Sequence, residues 1–213
     1  MNSRASGKEG APRDPPAIPS AASSVRDRIL GAASALFYRE GIHAVGVDAI
    51  VSASGVAKMS FYRHFPSKDD LIRAVLVAHD RRYWAWWDEA VARHPGAPRE
   101  QLRALFDAIS ERFHHPAYRG CAFINFTAEF AQAGHPGHDV VTANKLQQRE
   151  RLRALAGQLG VADADLLADQ LVLLIEGARV SALTLGDAGP ARQLPRAAGS
   201  LLAAHLAQRP PVE

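Results

Sequence analysis

Apolar residues recur at helical spacing along nearly the whole chain. Val25, Ile29, Ala32, Ala33, Leu36 and Phe37 form the first such stripe, opened by Ser24 with Asp27 three residues on and stopped by Gly41. A second, short helix is predicted from Val47 to Ser54 with Ile50 and Val51 apolar, and Gly55 supplies the left-handed turn of a sharp reversal. The third, from about Ala57 to His64, must be brief, because Pro66 cannot continue a helix and biases Phe65 out of helical geometry. Ser67 then caps a fourth helix with Asp70 as its partner, and Leu71, Ile72, Val75 and Leu76 are its predicted buried stripe.

Beyond the fourth helix, breakers at His94-Pro95-Gly96, His115-Pro116, Gly134-His135-Pro136-Gly137, Gly160 and Gly186 to Pro190 divide the rest. Leu102, Leu105, Phe106, Ile109 and Phe113 mark one stripe between them, and Leu146, Leu152, Leu155 and Leu159 another. Leu166 to Leu185 is apolar nearly all round and needs cover on more than one side, from a deep core or a subunit interface. A final helix spans 191–207 with Leu194, Leu201, Leu202 and Leu206, and no stretch alternates as a strand would. The expected fold is all-α, about nine helices: an arm at 1–24, a three-helix N-terminal domain at 25–72, and a helical domain at 73–209. The arm, rich in Pro, Ser, Ala and Gly, has no periodic apolar positions and is expected to be disordered.

Composition narrows the class. The 213 residues are 47% hydrophobic and 22% charged, with no apolar run of the roughly 18 residues a membrane span needs. Pro12, Pro15, Pro16 and Pro19 interrupt the N-terminal stretch, no secretory signal is read there, and a cytoplasmic protein is expected. The single Cys121 cannot form an internal disulfide. A net charge of +3 is too mild to imply a polyanionic partner, but its distribution matters: residues 57–68 hold Lys58, Arg63 and Lys68 with no Asp or Glu.

Two short helices joined by a Gly-containing turn within a three-helix core form a helix-turn-helix, whose second helix lies in the DNA major groove. Lys58, Ser60 and Arg63 offer donors to base edges, Arg being able to chelate guanine, while Tyr62, His64 and Lys68 can reach phosphates. Phe61 and Phe65 read as core. The run from Gly55 through Phe61-Tyr62-Arg63-His64-Phe65-Pro66 to Lys68, with Gly41 and the Ile50 to Gly55 spacing, resembles the signature of the tetracycline-repressor-like (TetR) family of bacterial regulators. The likeness is strong over residues 25–72. Beyond them it consists of the run of helices and the Arg119-Gly120-Cys121 stretch with Asn125 and Glu129, which is similar to one C-terminal subgroup.

The resemblance places Lys58, Met59, Ser60 and Arg63 at bases and Tyr62, His64 and Lys68 at phosphates. It implies a non-enzymatic, cofactor-free homodimer that binds a palindromic double-stranded operator, most simply as a repressor, and is released by a small-molecule effector. The helices at about 163–185 and 190–207 are the expected dimer interface. Two positions depart from the family pattern: Gly46 stands where Ser or Thr usually opens the second helix, and Val51 where a small Ala allows close helix approach.

The effector site is less legible. Tyr83, Trp84, Trp86 and Trp87, and Phe106, Phe113, Phe123, Phe126 and Phe130, fit either a large core or an apolar pocket wall. Asn125 and Glu129, four residues apart on one helix face, are candidate pocket polar groups or surface residues. Glu176 and Arg179 interrupt the most apolar helix as pocket groups or as a buried pair. The pocket set is therefore Trp84, Trp87, Phe106, Phe113, Cys121, Asn125, Phe126, Glu129 and Glu176. Cys121 fits inert packing better than redox sensing, and His114, His115, His135 and His138 lack a completing ligand at metal spacing. A helical enzyme built on Cys121 or Glu129 has no supporting motif, and a purely structural role leaves the basic run unexplained.

Overall fold

The computed structural model of the chain describes residues 24–131, 134–186 and 189–208. The arm expected at 1–24 lies, except for Ser24, outside them. Among the described residues all regular structure is helical: α1 (Val25–Glu40), α2 (Val47–Ser54), α3 (Lys58–His64), α4 (Lys68–Ala92), α5 (Pro98–Phe113), α6 (Ala122–Glu129), α7 (His138–Gln158), α8 (Ala164–Leu185), a 3-10 turn at Pro190–Gln193, and α9 (Leu194–Ala207).

The first four helices start and stop for local reasons. Ser24 Oγ accepts the Asp27 N–H at 3.1 Å and donates to the Asp27 carboxylate at 2.6 Å, and Ser67 and Asp70 repeat the arrangement at 3.0 and 2.7 Å. Gly55 closes α2 at φ 63, ψ 33, a region that costs a side-chain-bearing residue steric strain. α3 ends at His64, and Phe65 is extended (φ −137, ψ 97) ahead of Pro66.

α4 is the organising element. Its 25 residues run unbroken from Lys68 to Ala92, about 37 Å at 1.5 Å per residue, so position 72 falls inside a continuous rod. The lower part of that rod sits in a core built by Ile29, Phe37, Ile42, Ile50, Phe61, Phe65, Leu71, Ile72 and Leu76. Phe123, Phe126 and Val141 from α6 and α7 complete this core, so the second half of the chain helps bury the first three helices. The upper part, through Tyr83, Trp84 and Trp87, enters a second core with Leu102, Leu105 and Phe106 of α5, Leu152 and Leu155 of α7, Leu167, Leu171 and Ile175 of α8 and Leu202 of α9.

One stripe differs from expectation. Leu146 is 61% exposed, and α7 instead buries Val141, Asn144, Gln148, Leu152 and Leu155. Six residues separate Leu146 from Leu152, which at 3.6 per turn puts them on different faces. Asn144 is accommodated inside because its Nδ2 donates to Asp80 Oδ1 on α4 at 2.8 Å.

Candidate functional site

α3 is held by a single fully buried anchor, Phe61, with Phe65 behind it. That leaves the opposite side of the short helix in solvent. Met59 is 76% and Tyr62 43% exposed, Lys58, Arg63 and His64 are exposed, and Ser60 is half-buried. Lys58 Nζ pairs with Asp48 on α2 at 2.8 Å, and that carboxylate holds the ammonium above its ordinary pKa. Of the expected base-facing and phosphate-facing residues of α3, all but the half-buried Ser60 are thus exposed, wrapping the sides of the helix turned away from Phe61. Gly46 opens α2 without a side-chain cap.

Lys68 is placed differently. Its side chain turns inward across Phe37 (Nζ 5.9 Å from the ring centroid) and donates to the Ile42 carbonyl at 2.6 Å. Burial pulls its pKa down against the opposing pull of Glu129 and Asp69. In this arrangement the ammonium joins α4 to the α1–α2 turn.

Glu129 meets the same turn from the far end of the sequence. Its Oε1 accepts the Ile42 N–H at 2.9 Å and its Oε2 the His43 N–H at 2.7 Å, while His43 Nε2 lies 3.0 Å from the Glu129 carbonyl. A second link lies one turn earlier on α1. The Tyr38 hydroxyl donates to the Gly120 carbonyl at 3.1 Å and accepts the Arg119 N–H at 2.9 Å. Burial raises the Tyr38 pKa, which keeps the hydroxyl a donor.

These links border a cavity of about 350 Å³. Phe37 and Tyr38 come from α1, Ile42 from the α1–α2 turn, and Ile72, Val75, Leu76, His79, Arg82, Tyr83 and Trp86 from one face of α4. Ile109, Arg112 and Phe113 come from α5, Tyr118, Gly120 and Cys121 from the α5–α6 loop, Asn125 and Glu129 from α6, and Arg179 from α8. The walls are mainly aromatic and aliphatic with a few polar groups, the composition of a small-molecule site.

Of the residues expected in a pocket, Phe113, Cys121, Asn125 and Glu129 line it. Asn125 Nδ2 donates to the Arg119 carbonyl at 2.8 Å, fixing the loop. Trp84, Trp87, Phe106, Phe126 and Glu176 do not line it. Trp84 donates from Nε1 to Asp80 at 2.9 Å with the Arg151 guanidinium over its ring, and Trp87 and Phe106 are second-core residues. Phe126 is fully buried in the first core, stacked on Phe130. Glu176 lies behind the wall, where its Oε1 accepts from Arg179 at 2.7 Å and from Lys145 at 2.6 Å. Burial opposes its ionisation, but Arg179 and Lys145 outweigh burial and hold the carboxyl below its ordinary value.

Tyr83, Trp86 and Arg179, open between core and pocket in the sequence, face the cavity, and the α4 members of its wall follow one rule. Ile72, Val75, Leu76, His79, Arg82, Tyr83 and Trp86 repeat every three or four residues, continuing the stripe already evident at the start of α4. Polar His79 and Arg82 disguised it. His79 is kept neutral, its pKa pushed down to about 3 by burial and then by Arg82, Arg112 and Arg179.

An exposed, basic short helix over a three-helix core, joined by a long helix to a bundle with a cavity, defines a DNA-binding regulator with a helical regulatory domain. Comparison with known proteins agrees. Residues 29–75 match the bacterial regulatory proteins of the tetR family, and residues 98–198 the tetracyclin repressor-like C-terminal domain. The chain superposes on SCO4454, a TetR-family transcriptional regulator from Streptomyces coelicolor, with a TM-score of 0.80 and 34% identity over 85% of this chain and 96% of that one. It is 31% identical to the HTH-type transcriptional repressor KstR2 of Mycolicibacterium smegmatis over 163 residues, 75% of this chain and 76% of the relative. It is also 37% identical to the transcriptional activator FasR of the same species over 90 residues, 42% of this chain and 41% of the relative. The chain belongs to the TetR family of transcriptional regulators, a non-enzymatic class.

Proposed function

We propose that this regulator is a homodimeric repressor that binds a palindromic operator through α3 and is released when a small molecule fills the cavity. The observation that carries the reading is the shared wall. Phe37 and Tyr38 of α1 and Ile42 of the α1–α2 turn line the same space as Tyr118, Gly120 and Glu129 of the regulatory half. A molecule bound there touches the joint that orients α3, so its differential affinity for two arrangements of that joint becomes a coupling free energy with DNA.

Dimerisation has its own support. Leu166, Leu173 and Val180, seven residues apart along α8, are 46%, 71% and 51% exposed, while Leu167, Leu171 and Ile175 on the other side are buried. A stripe of large apolar side chains left in water marks an association surface. Two copies joined by it would present two α3 helices to successive major grooves. Lys58, Met59, Ser60 and Arg63 are then the base-facing set and Tyr62 and His64 the phosphate-facing set; Lys68 would have to leave the Ile42 carbonyl to join them. Repression is favoured over activation because the repressor relative matches three quarters of this chain and the activator less than half.

The test is a mobility shift of DNA flanking the protein's own gene across a salt series. A specific complex at a two-fold symmetric segment, weakening steeply with salt, is expected. Equal, weak binding to every fragment would refute the operator reading.

A further inference from the structure

The cavity has a charge as well as a shape. Arg82, Arg112 and Arg179 reach it from three different helices, and all three act on the single imidazole of His79. Among the described residues no carboxylate lies within ion-pair distance of Arg82 or Arg112. Arg82 has only a long contact of 3.5 Å to Ser34 Oγ, and Arg112 stacks on Trp86 with 4.8 Å from guanidinium to ring centroid. Arg179 is buried, and it shares one oxygen of Glu176 with Lys145. Glu129, the other acidic group held near the wall, has both oxygens occupied by the Ile42 and His43 amides, and Glu111 stands exposed at the rim.

Arg82 is exposed and Arg112 half-buried, so water reaches both, but two guanidinium groups without a carboxylate, beside the buried Arg179, give an otherwise apolar space a positive wall complementary to an anion. The Tyr118 hydroxyl is also buried there without a hydrogen-bond partner, a donor available to an oxygen. A cation would meet three like charges, and a neutral molecule would leave Arg82 and Arg112 with water as their only counterpart to a carboxylate.

We infer that the cavity takes a small organic oxyanion, a carboxylate or sulfonate on an apolar body of one or two aromatic rings, with the charged head at Arg82, Arg112 and Tyr118 and the body between Trp86, Phe113 and Tyr83. This rests on the reading of the cavity as the effector site. Arginine fits the task because its planar fork donates two parallel hydrogen bonds to such a head.

Two fluorescent probes that differ by one sulfonate test it on the full-length protein: 8-anilino-1-naphthalenesulfonate and its uncharged twin, N-phenyl-1-naphthylamine. The anion should bind at least about tenfold more tightly, as charged hydrogen bonds warrant. The double variant R82Q/R112Q should lose that preference while its affinity for the neutral probe stays within about threefold. Equal or tighter binding of the neutral probe by the unaltered protein overturns the inference, as does binding of neither. So does an unchanged anion affinity in a double variant whose circular dichroism and melting match the unaltered protein, because the anion would then sit elsewhere. Should the double variant not fold, the two probes on the unaltered protein still decide. A mobility shift run on the unaltered protein separates the readings: no preference for the anionic probe with intact DNA binding refutes only the anion site, and a clear preference without DNA binding refutes only the regulatory role.

Discussion

Replacing Glu129 by Gln removes the negative charge of the clasp between α6 and the α1–α2 turn while keeping its shape. The carboxylate accepts two backbone N–H groups, at 2.9 Å from Ile42 and 2.7 Å from His43. Hydrogen bonds to a charged acceptor contribute about 1.5–3 kcal/mol each. The amide keeps one acceptor oxygen and turns an NH2 group against the other N–H, so one bond is lost. Glu129 is only half-buried, and water can replace part of that loss, which lowers the expected cost to about 1–2 kcal/mol. At RT of about 0.6 kcal/mol this is roughly a 5- to 30-fold larger population of the open turn. Amide hydrogen exchange reads it directly: the Ile42 and His43 amides should lose that much protection, with the α8 and α9 amides unchanged. Because the same turn orients α3, operator affinity should fall in the variant. Unaltered exchange at both amides would refute the clasp and, with it, this route from cavity to DNA.

Stability should fall with acid through His79. Its folded pKa of about 3 lies below the ordinary 6.5, so the unfolded chain takes up the proton first. The stabilisation is complete above pH 6.5 and is lost as pH falls towards 3, on the order of 1–2 kcal/mol between pH 7 and 5. Denaturant titrations at the two pH values should show that slope, and His79→Phe should flatten it. Gly137→Ala places a Cβ 2.6 Å from Phe126 Cζ and 2.8 Å from Leu76 Cδ1, inside the first core. Overpacking there should cost about 1–3 kcal/mol, and a denaturation midpoint equal to the parent's would contradict the packing described. Leu173→Glu puts a charge in the middle of the exposed α8 stripe, and sedimentation velocity should then find a monomer whose circular dichroism is unchanged. A persistent dimer would place the interface elsewhere.

Much of the fold is written locally. The Ser24/Asp27 and Ser67/Asp70 caps, the Gly55 turn and the Pro66 stop act over a few residues, so α1 to α3 and the start of α4 are legible without knowing what they pack on. The exposure of α3 is largely legible too, because Lys58, Ser60, Arg63 and His64 fill most of its seven residues, but only the structure shows that Phe61 is buried while the equally apolar Met59 stays in solvent.

What a linear pattern does not carry is which apolar stripe faces which neighbour. Trp84 and Trp86 are indistinguishable in composition, yet a 200° step around α4 sends one to Asp80 and Arg151 and the other to the cavity. The same holds for position 72 as a boundary: helix periodicity does not reveal that Phe123, Phe126 and Val141 return to finish the first core. By itself the sequence determined the helices, their caps, the helix-turn-helix and its basic face, all set by short-range sterics and hydrogen bonding. Only the tertiary structure decided that Lys68 and Glu129 meet at Ile42, and that three arginines share one cavity, because those encounters join residues tens of positions apart whose distances follow from how whole helices pack.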